Sequence, residues 1–437
     1  MSAHVLRLSG FMVMGFLAMT LAQLVEAFYL GMVGGDELAA VAFTFPLVMA
    51  FNAMTRGIGI GTGAVLARVM GSGDRDRAAR LTSHGLLLTL AFTLFCSTLL
   101  MWQGGNLFAL LGARGHILEL AVAYMVIWVI GFPGFGLSMV GAGLMRSIGD
   151  PAFPGYVMTA GSLLQVLVAP PLIFGWWGIP ALGIEGAAWA FVIARSGSLL
   201  MTLWWFLLKE RMLRWQLTGL LQSTRDILHV GIPASATNLI QPLSAAITTR
   251  ILAGLGASVV AGFGVASRID AVVTMVVIGI SASAAPLVGQ NWGAGLYDRV
   301  DEALRLGYRY CLIWGVIAAT IMWLGGSFFV GLISEDPEIL STALAYLYVV
   351  PISIGFFGML NVANASFNAL SKPLPPLLLS LFRLLLVYIP LALLAARYYG
   401  AVGVFAATAV VNVLFGVLAW RWNRFVITAM RPHASST

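Results

Sequence analysis

Charge is what this sequence lacks. Only 9 % of its 437 residues are Asp, Glu, Lys or Arg, while 60 % are hydrophobic and the mean hydropathy is +0.94. Soluble chains carry roughly a quarter charged residues, so a large water-facing core is excluded and a polytopic helical membrane protein is expected. Cysteine is equally scarce: Cys96 and Cys311 both lie in apolar runs and imply neither a disulfide framework nor a thiolate metal cluster. His4, His84, His116, His229 and His433 all fall near the ends of apolar runs or in the tails, which argues against a metal site or an intramembrane histidine relay. No cofactor is expected. An intramembrane enzyme needs acids or histidines clustered at one depth, and the sequence has no such cluster.

Long apolar segments are what is there. They recur at about 10–33, 38–67, 81–104, 118–145, 154–175, 181–208, 227–254, 259–288, 304–332, 339–368, 374–396 and 401–425, each long enough to span a bilayer. Residues 1–33 place Arg7 before an apolar run, as a signal peptide does, but the run is too long and carries Glu26, so a first membrane helix is expected. With both termini on one side, 17 of the 24 Lys and Arg residues fall in the connections on that side, two (Arg114 and Arg397) on the other, and five (Arg56, Arg195, Arg250, Arg268, Arg383) inside spans. That bias places both termini in the cytoplasm and explains the net charge of +7 without an acidic or nucleic-acid partner.

The chain also repeats itself. At an offset of 222 residues, GSGDRDR (Gly71 to Arg77) falls on GAGLYDR (Gly293 to Arg299), MRSIGDPAFP (Met145 to Pro154) on FNALSKPLPP (Phe367 to Pro376), and Gly34 on Gly256. Each half holds an even number of spans, so the halves share an orientation and are expected to be related by a pseudo-twofold axis along the membrane normal. The reading is an all-α membrane protein of twelve transmembrane helices in two six-helix lobes. Residues 1–208 form the N-lobe, 209–226 a cytoplasmic linker, 227–425 the C-lobe and 426–437 a cytoplasmic tail. The glycine-rich stretch GIGIGTG (Gly57 to Gly63) suits close helix approach in lipid, either as plain packing or in a moving helix.

Glu26 is an acidic side chain set deep inside a long apolar run. It lies about 24 Å along a helix that starts at Gly10, past mid-bilayer, where carboxylates are rare and functional by default; a structural ion pair with an intramembrane arginine is the alternative. Gln23, Glu26 and Tyr29 follow at i, i+3 and i+6 and share roughly one face. Asp270 and Arg268, two residues apart, do not face each other. Asp270 reads as the structural partner of another arginine or as a second charge site.

Five stretches resemble the multidrug and toxic compound extrusion family, in particular its bacterial DinF-like branch, over nearly the whole chain. They are LVEAFYLGMVGGDELAAVAFTFP at 24–46, GIGIGTGAVLARVMGSGD at 57–74, LMRSIGDPAFP at 144–154, PPLIFGWWGIPALGIEGAAWA at 170–190 and APLVGQNWGAG at 285–295. The resemblance implies a two-lobe, twelve-helix transporter of the bacterial inner membrane that exports organic, often cationic, compounds against proton or sodium entry. It implies the cation site at Glu26, where family members usually carry aspartate. In the fifth helix Gln165 and Ala169 stand where the branch often has asparagine and aspartate, which leaves one amide and removes one carboxylate. The first-helix proline is absent, with Phe11 or Met12 in its place, while its counterpart Pro233 remains.

A carboxyl taken out of water favours its protonated form. Proton and cationic substrate would then compete for one negative charge, which suffices for antiport. Sodium wants several oxygen ligands and the local set is thin, so protons are the expected coupling ion, through Glu26, Gln23, Tyr29 and Gln165. Met19, Phe43, Phe45, Met49, Phe51 and Met54 are candidates for the substrate cavity, since thioethers and ring faces suit varied lipophilic cations. The alternatives are a sodium-coupled exporter and, given the five intramembrane arginines, a flippase for lipid-linked saccharide. The expected partners are small organic substrates, protons and the bilayer, and the chain is expected to act as a monomer.

Overall fold

The computed structural model describes residues 2–150, 152–176, 178, 180–333 and 336–431, with the side chains of 2–8 and of Leu38 not described. The side chains of His4 and Arg7, Pro151 of the repeated motif, and the tail from 432 with His433 therefore lie outside the described residues.

The described residues form twelve long helices and no strand. They are α1 (Ser2–Val33), α2 (Gly35–Gly71), α3 (Arg75–Leu110), α4 (Gly115–Ile148), α5 (Phe153–Phe174), α6 (Gly183–Lys209), α7 (Leu220–Ala253), α8 (Ala257–Gly293), α9 (Tyr297–Gly331), α10 (Pro337–Ala369), α11 (374–399) and α12 (401–430). α6 ends in a π-helical turn over Trp205–Lys209. α10 tightens to a 3-10 turn at Val350–Ser353, where Pro351 withholds a backbone donor. α11 holds a π-helical stretch at Phe382–Tyr388. Gly400, at φ 57 and ψ −141, breaks the last apolar run into α11 and α12, in a conformation that glycine adopts without a Cβ clash. Among the described residues, ten helical stretches are long and apolar enough to cross a membrane, α11 and α12 counting as one. α7 falls short on composition, with Asn238, Gln241 and several Ser and Thr along it.

The 222-residue repeat holds element by element. α2 and α8 begin and end at corresponding residues, α3 and α9 begin together, and α4 and α10 begin together. The turn after α2 uses Gly73 and that after α8 uses Gly295, both at positive φ. After α4 the left-handed position is Gly149; its counterpart after α10 is Ser371, also left-handed.

The chain divides into two compact units, residues 11–235 and the remainder. The division falls inside α1 and inside α7, so each of these helices runs through both units. In the unit of residues 11–235, α4 packs on α2, α3 and α6, and α6 on α5. Its core is aromatic: Trp128 stacks on Phe132 and Phe191 with centroids 5.1 and 5.0 Å away. The glycines of GIGIGTG pack on two sides. Gly59 and Gly63 abut Val140 and Ser147 of α4, while Gly57 and Gly61 abut Gly231, Ser235 and the Ile227 carbonyl of α7. In the other unit, α8 packs on α9 and both parts of α10, which also packs on α12; Cys311 is buried there and Cys96 in the first unit.

At the ends of α4 and α6, beyond the spans, Asp150 ties the loop between α4 and α5 to the end of α6. Its Oδ1 accepts from the backbone of Ala152 and Phe153, its Oδ2 from Trp205 Nε1 at 3.1 Å and Lys209 Nζ at 2.9 Å. Partial burial by itself pushes this carboxyl up, but the bonds from Lys209, Phe153, Trp205 and Ala152 outweigh it and hold Asp150 below the ordinary carboxylate range. His84 on α3 bonds Ser223 Oγ and the Gln216 carbonyl, fixing the segment that leads into α7.

Candidate functional site

Glu26, on α1, is joined to α5 and α6 by an amide bridge. Gln165 Nε2 donates to Glu26 Oε2 at 2.6 Å, and Arg195 Nη2 donates to Gln165 Oε1 at 2.6 Å. A carboxylate only accepts and a guanidinium only donates, so the amide fits between them in this one orientation. Gln165 and Arg195 are buried and Glu26 is part-buried. The packing of α5 on α6 brings Gln165 and Arg195 together, and α1 supplies the acid.

The arrangement is neutral as a whole but keeps its two charges apart. Glu26 makes no direct ion pair with Arg195 within 4.0 Å among the described residues. Arg195 stands at the end of the aromatic stack, its guanidinium carbon 5.4 Å from the Phe135 ring centre and 5.2 Å from that of Phe191, a cation–π setting that stabilises a desolvated guanidinium. Arg195 Nε has no hydrogen-bond partner. Tyr124 of α4 lies within electrostatic range of Glu26. Loss or gain of a proton at Glu26 thus changes how much of the Arg195 charge is compensated.

The repeat shows where charge has been placed and where it has not. The counterpart of Glu26 on α7 is Thr248, whose hydroxyl shares a 2.6 Å hydrogen bond with Tyr388 of α11. The first and fifth helices of each half are therefore linked at the same level, by charge in one half and by neutral hydroxyls in the other. On α8, Asp270 accepts from Thr274 Oγ1 at 3.3 Å and has Tyr346 beside it, while its Oδ1 is buried without a partner. The expected pairing of Asp270 with an arginine is not found: no basic nitrogen among the described residues lies within 4.0 Å of it, and Arg268, exposed and two residues away on the same helix, does not face it. The reason is helical spacing for Arg268 and a hydroxyl-lined surrounding for Asp270. Arg383 donates to Asn412 Oδ1 at 2.7 Å and stacks on Phe357.

The other expected residues are spread. Tyr29 packs edge-on against Phe174 at 6.1 Å and Gln23 is exposed. Met19, Phe43 and Phe51 pack against the core of the first unit, Phe51 6.1 Å from Phe132, and Met49 is part-buried; Phe45 and Met54 are exposed. Arg195 and Tyr124 are the members that sequence reasoning did not attach to Glu26. The intramembrane position of Arg195 is the signal that marks it, but spacing along one helix does not say which neighbour it reaches.

The MatE family model matches residues 12–170 and 233–394. A curated relative from Shewanella oneidensis, the "FAD transporter", is 32% identical over 411 residues that cover 91% of this chain and 89% of the relative. The "Probable multidrug resistance protein YoeA" of Bacillus subtilis is 24% identical, covering 91% of this chain and 89% of its own. Among solved structures, the Vibrio cholerae MATE transporter VcmN in the bent form superposes with a TM-score of 0.93 at 26% identity, covering 98% of this chain and 97% of its own. The chain belongs to the multidrug and toxic compound extrusion family, and is a multi-pass membrane transporter for small organic molecules, not an enzyme.

Proposed function

We propose that the protein exports an organic anion of the flavin dinucleotide class, and that Glu26 sets the charge of its site. The observation that carries this reading is the charge balance inside the spans: Arg56, Arg195, Arg250, Arg268 and Arg383 stand against Glu26 and Asp270, while Glu119 and Glu185 lie near span ends. An intramembrane excess of guanidinium attracts anions and repels cations. The name of the Shewanella oneidensis relative points to the same chemistry. For such a substrate an inside-negative potential already favours export, by about 2.3 kcal/mol per charge for each 100 mV.

A second reading is favoured by Glu26 itself and by the thioether and ring side chains Met19, Phe43, Phe45, Met49, Phe51 and Met54. Here a lipophilic cation and a proton compete for the carboxylate, and export runs against proton entry; sodium fits less well, since a carboxylate and one amide supply few oxygens. Gln23 and Tyr29 would flank the coupling residue in either case, and Asp270, apart from Arg268, would form a second charge site. Both readings use lobes at 1–208 and 227–425, a linker at 209–226, cytoplasmic termini and a monomer.

Transport into inside-out vesicles separates the readings. Accumulation of FAD that requires the protein, with no accumulation of a lipophilic phosphonium, supports the anion. The reverse result removes it and leaves proton–cation exchange.

A further inference from the structure

We infer that Arg383 anchors the anionic group, a phosphate or pyrophosphate, of the transported molecule in the unit that contains residues 236–437. Such a role rests on the organic-anion reading and adds to it a positive centre paired with no carboxyl among the described residues.

Each unit holds an arginine through an amide, but the two arrangements finish differently. In the first unit Arg195 donates to the Gln165 amide oxygen, and the amide nitrogen donates to the Glu26 carboxylate. In the other, Arg383 of α11 donates through Nη2 to Asn412 Oδ1 of α12 at 2.7 Å, and Asn412 Nδ2 donates to Ser353 Oγ of α10 at 3.0 Å. Ser353 Oγ in turn donates to the Val350 carbonyl at 2.7 Å. One relay ends on a charge, the other on neutral groups. Asn412 and Ser353 are buried, so their bonds fix the Arg383 guanidinium without compensating it. The Phe357 ring of α10, its centre 5.5 Å from the guanidinium carbon, supports it from the side. The residues 222 positions earlier are Gly161, Ala190 and Gly131, so this polar group belongs to the second half alone.

Arg383 also has donors to spare. Among the described residues no carboxylate oxygen lies within 4.0 Å of it, and its Nε and Nη1 make no hydrogen bond. Arg383 is part-buried, yet these two nitrogens are not sealed off as Arg195 Nε is; they reach open space. A guanidinium edge turned to acyl chains is costly, so an intramembrane arginine without a counter-ion marks a cavity or ligand path. The backbone is unusual at the same place: Arg383 lies in the π-helical stretch Phe382–Tyr388, a rare geometry found mostly at functional positions. Phosphate suits such a group, because several N–H donors in one plane can reach its oxygens together. Arg195 is a charge that Glu26 switches, and Arg383 is a constant one.

The test is binding of FAD, and of riboflavin, which carries the same ring without phosphate, to the purified full chain and to Arg383→Gln and Arg383→Lys. Arg383→Gln is expected to lose FAD affinity about 10- to 100-fold while riboflavin affinity changes less than about two-fold. Retained riboflavin binding shows that the variant is folded. Arg383→Lys keeps the charge without the planar fork and is expected to lose less FAD affinity. A folded Arg383→Gln protein that binds FAD as the wild type does, or that loses both flavins equally, overturns the subsite. If Arg383→Gln does not fold, Arg383→Lys decides: weaker FAD binding with riboflavin unchanged supports the subsite, and equal changes in both overturn it. If the wild type binds no flavin, the substrate reading fails and inorganic pyrophosphate decides the subsite. A rise in the wild-type thermal midpoint with pyrophosphate, lost in Arg383→Gln, supports it; no rise, or one that persists in the variant, overturns it.

Discussion

Replacing Glu26 by glutamine removes one negative charge and leaves the bridge in place, because an amide oxygen still accepts from Gln165 Nε2. Two 2.6 Å hydrogen bonds and the width of the intervening amide separate the Glu26 carboxylate from the Arg195 guanidinium, roughly 7 Å in all. At that distance, with an effective dielectric of about 20, the carboxylate offsets Arg195 by about 2 kcal/mol. Without it, that attraction is open to another anion. Glu26→Gln is therefore expected to tighten FAD binding by about 30-fold at a pH where the wild-type carboxyl is ionised, and to abolish binding of a lipophilic cation. Both are measured by titration of the purified protein in detergent, with thermal midpoints to confirm folding. Unchanged affinity for both ligands would remove Glu26 from control of the site, and a loss of FAD binding would mean that Glu26 holds substrate directly.

Other perturbations reach different parts of the account. Gln165→Leu strips two charged groups of their shared amide and is expected to cost about 3–5 kcal/mol, seen as a lower thermal midpoint together with lost transport. Asp150→Asn should cost about 1–2 kcal/mol. Because the Asp150 carboxyl is held below its unfolded value, its stabilisation is present at neutral pH and disappears as pH falls into the acid range through that depressed value, so wild type and variant should converge only there. Gly61→Val would drive a side chain into the Ile227 carbonyl and Gly231, an overpacking expected to cost about 1–3 kcal/mol in thermal unfolding. Asp270→Asn is expected to change the pH profile of transport while leaving FAD affinity at neutral pH within about two-fold; an unaltered profile would assign Asp270 a packing role.

Much of the fold was legible because the same plan is written twice. The match of Gly71–Arg77 to Gly293–Arg299 places the ends of α2 and α8, and the structure puts those ends 222 residues apart. The helices themselves run past the apolar segments, α2 from Gly35 to Gly71 and α9 from Tyr297, because hydropathy marks the part in lipid while helical hydrogen bonds continue into the charged turns. The break at Gly400 follows from a left-handed backbone that glycine permits, and no periodicity announces it. The depth of Glu26 and the amide at Gln165 could each be read along a single helix, and the structure joins them. Arg195 could not be attached to them, since the order in which helices neighbour one another is set by packing of residues such as Trp128, Phe132 and Phe191 rather than by spacing. The pairing expected for Asp270 failed for a related reason: its neighbours Thr274 and Tyr346 satisfy part of the carboxylate with hydroxyls.

The most direct measurement is the affinity of the wild-type protein for FAD as pH is lowered from about 8 to about 6. The groups by Glu26 are Gln165 of α5, Arg195 of α6 and Tyr124 of α4; an amide does not titrate and arginine and tyrosine keep their protons over that range, so a change in affinity there reports the carboxyl. Its neutralisation frees the Arg195 charge, so FAD should bind more tightly at the lower pH, and the dependence should vanish in Glu26→Gln. Weaker binding at low pH, or an equal dependence in the variant, would contradict the account.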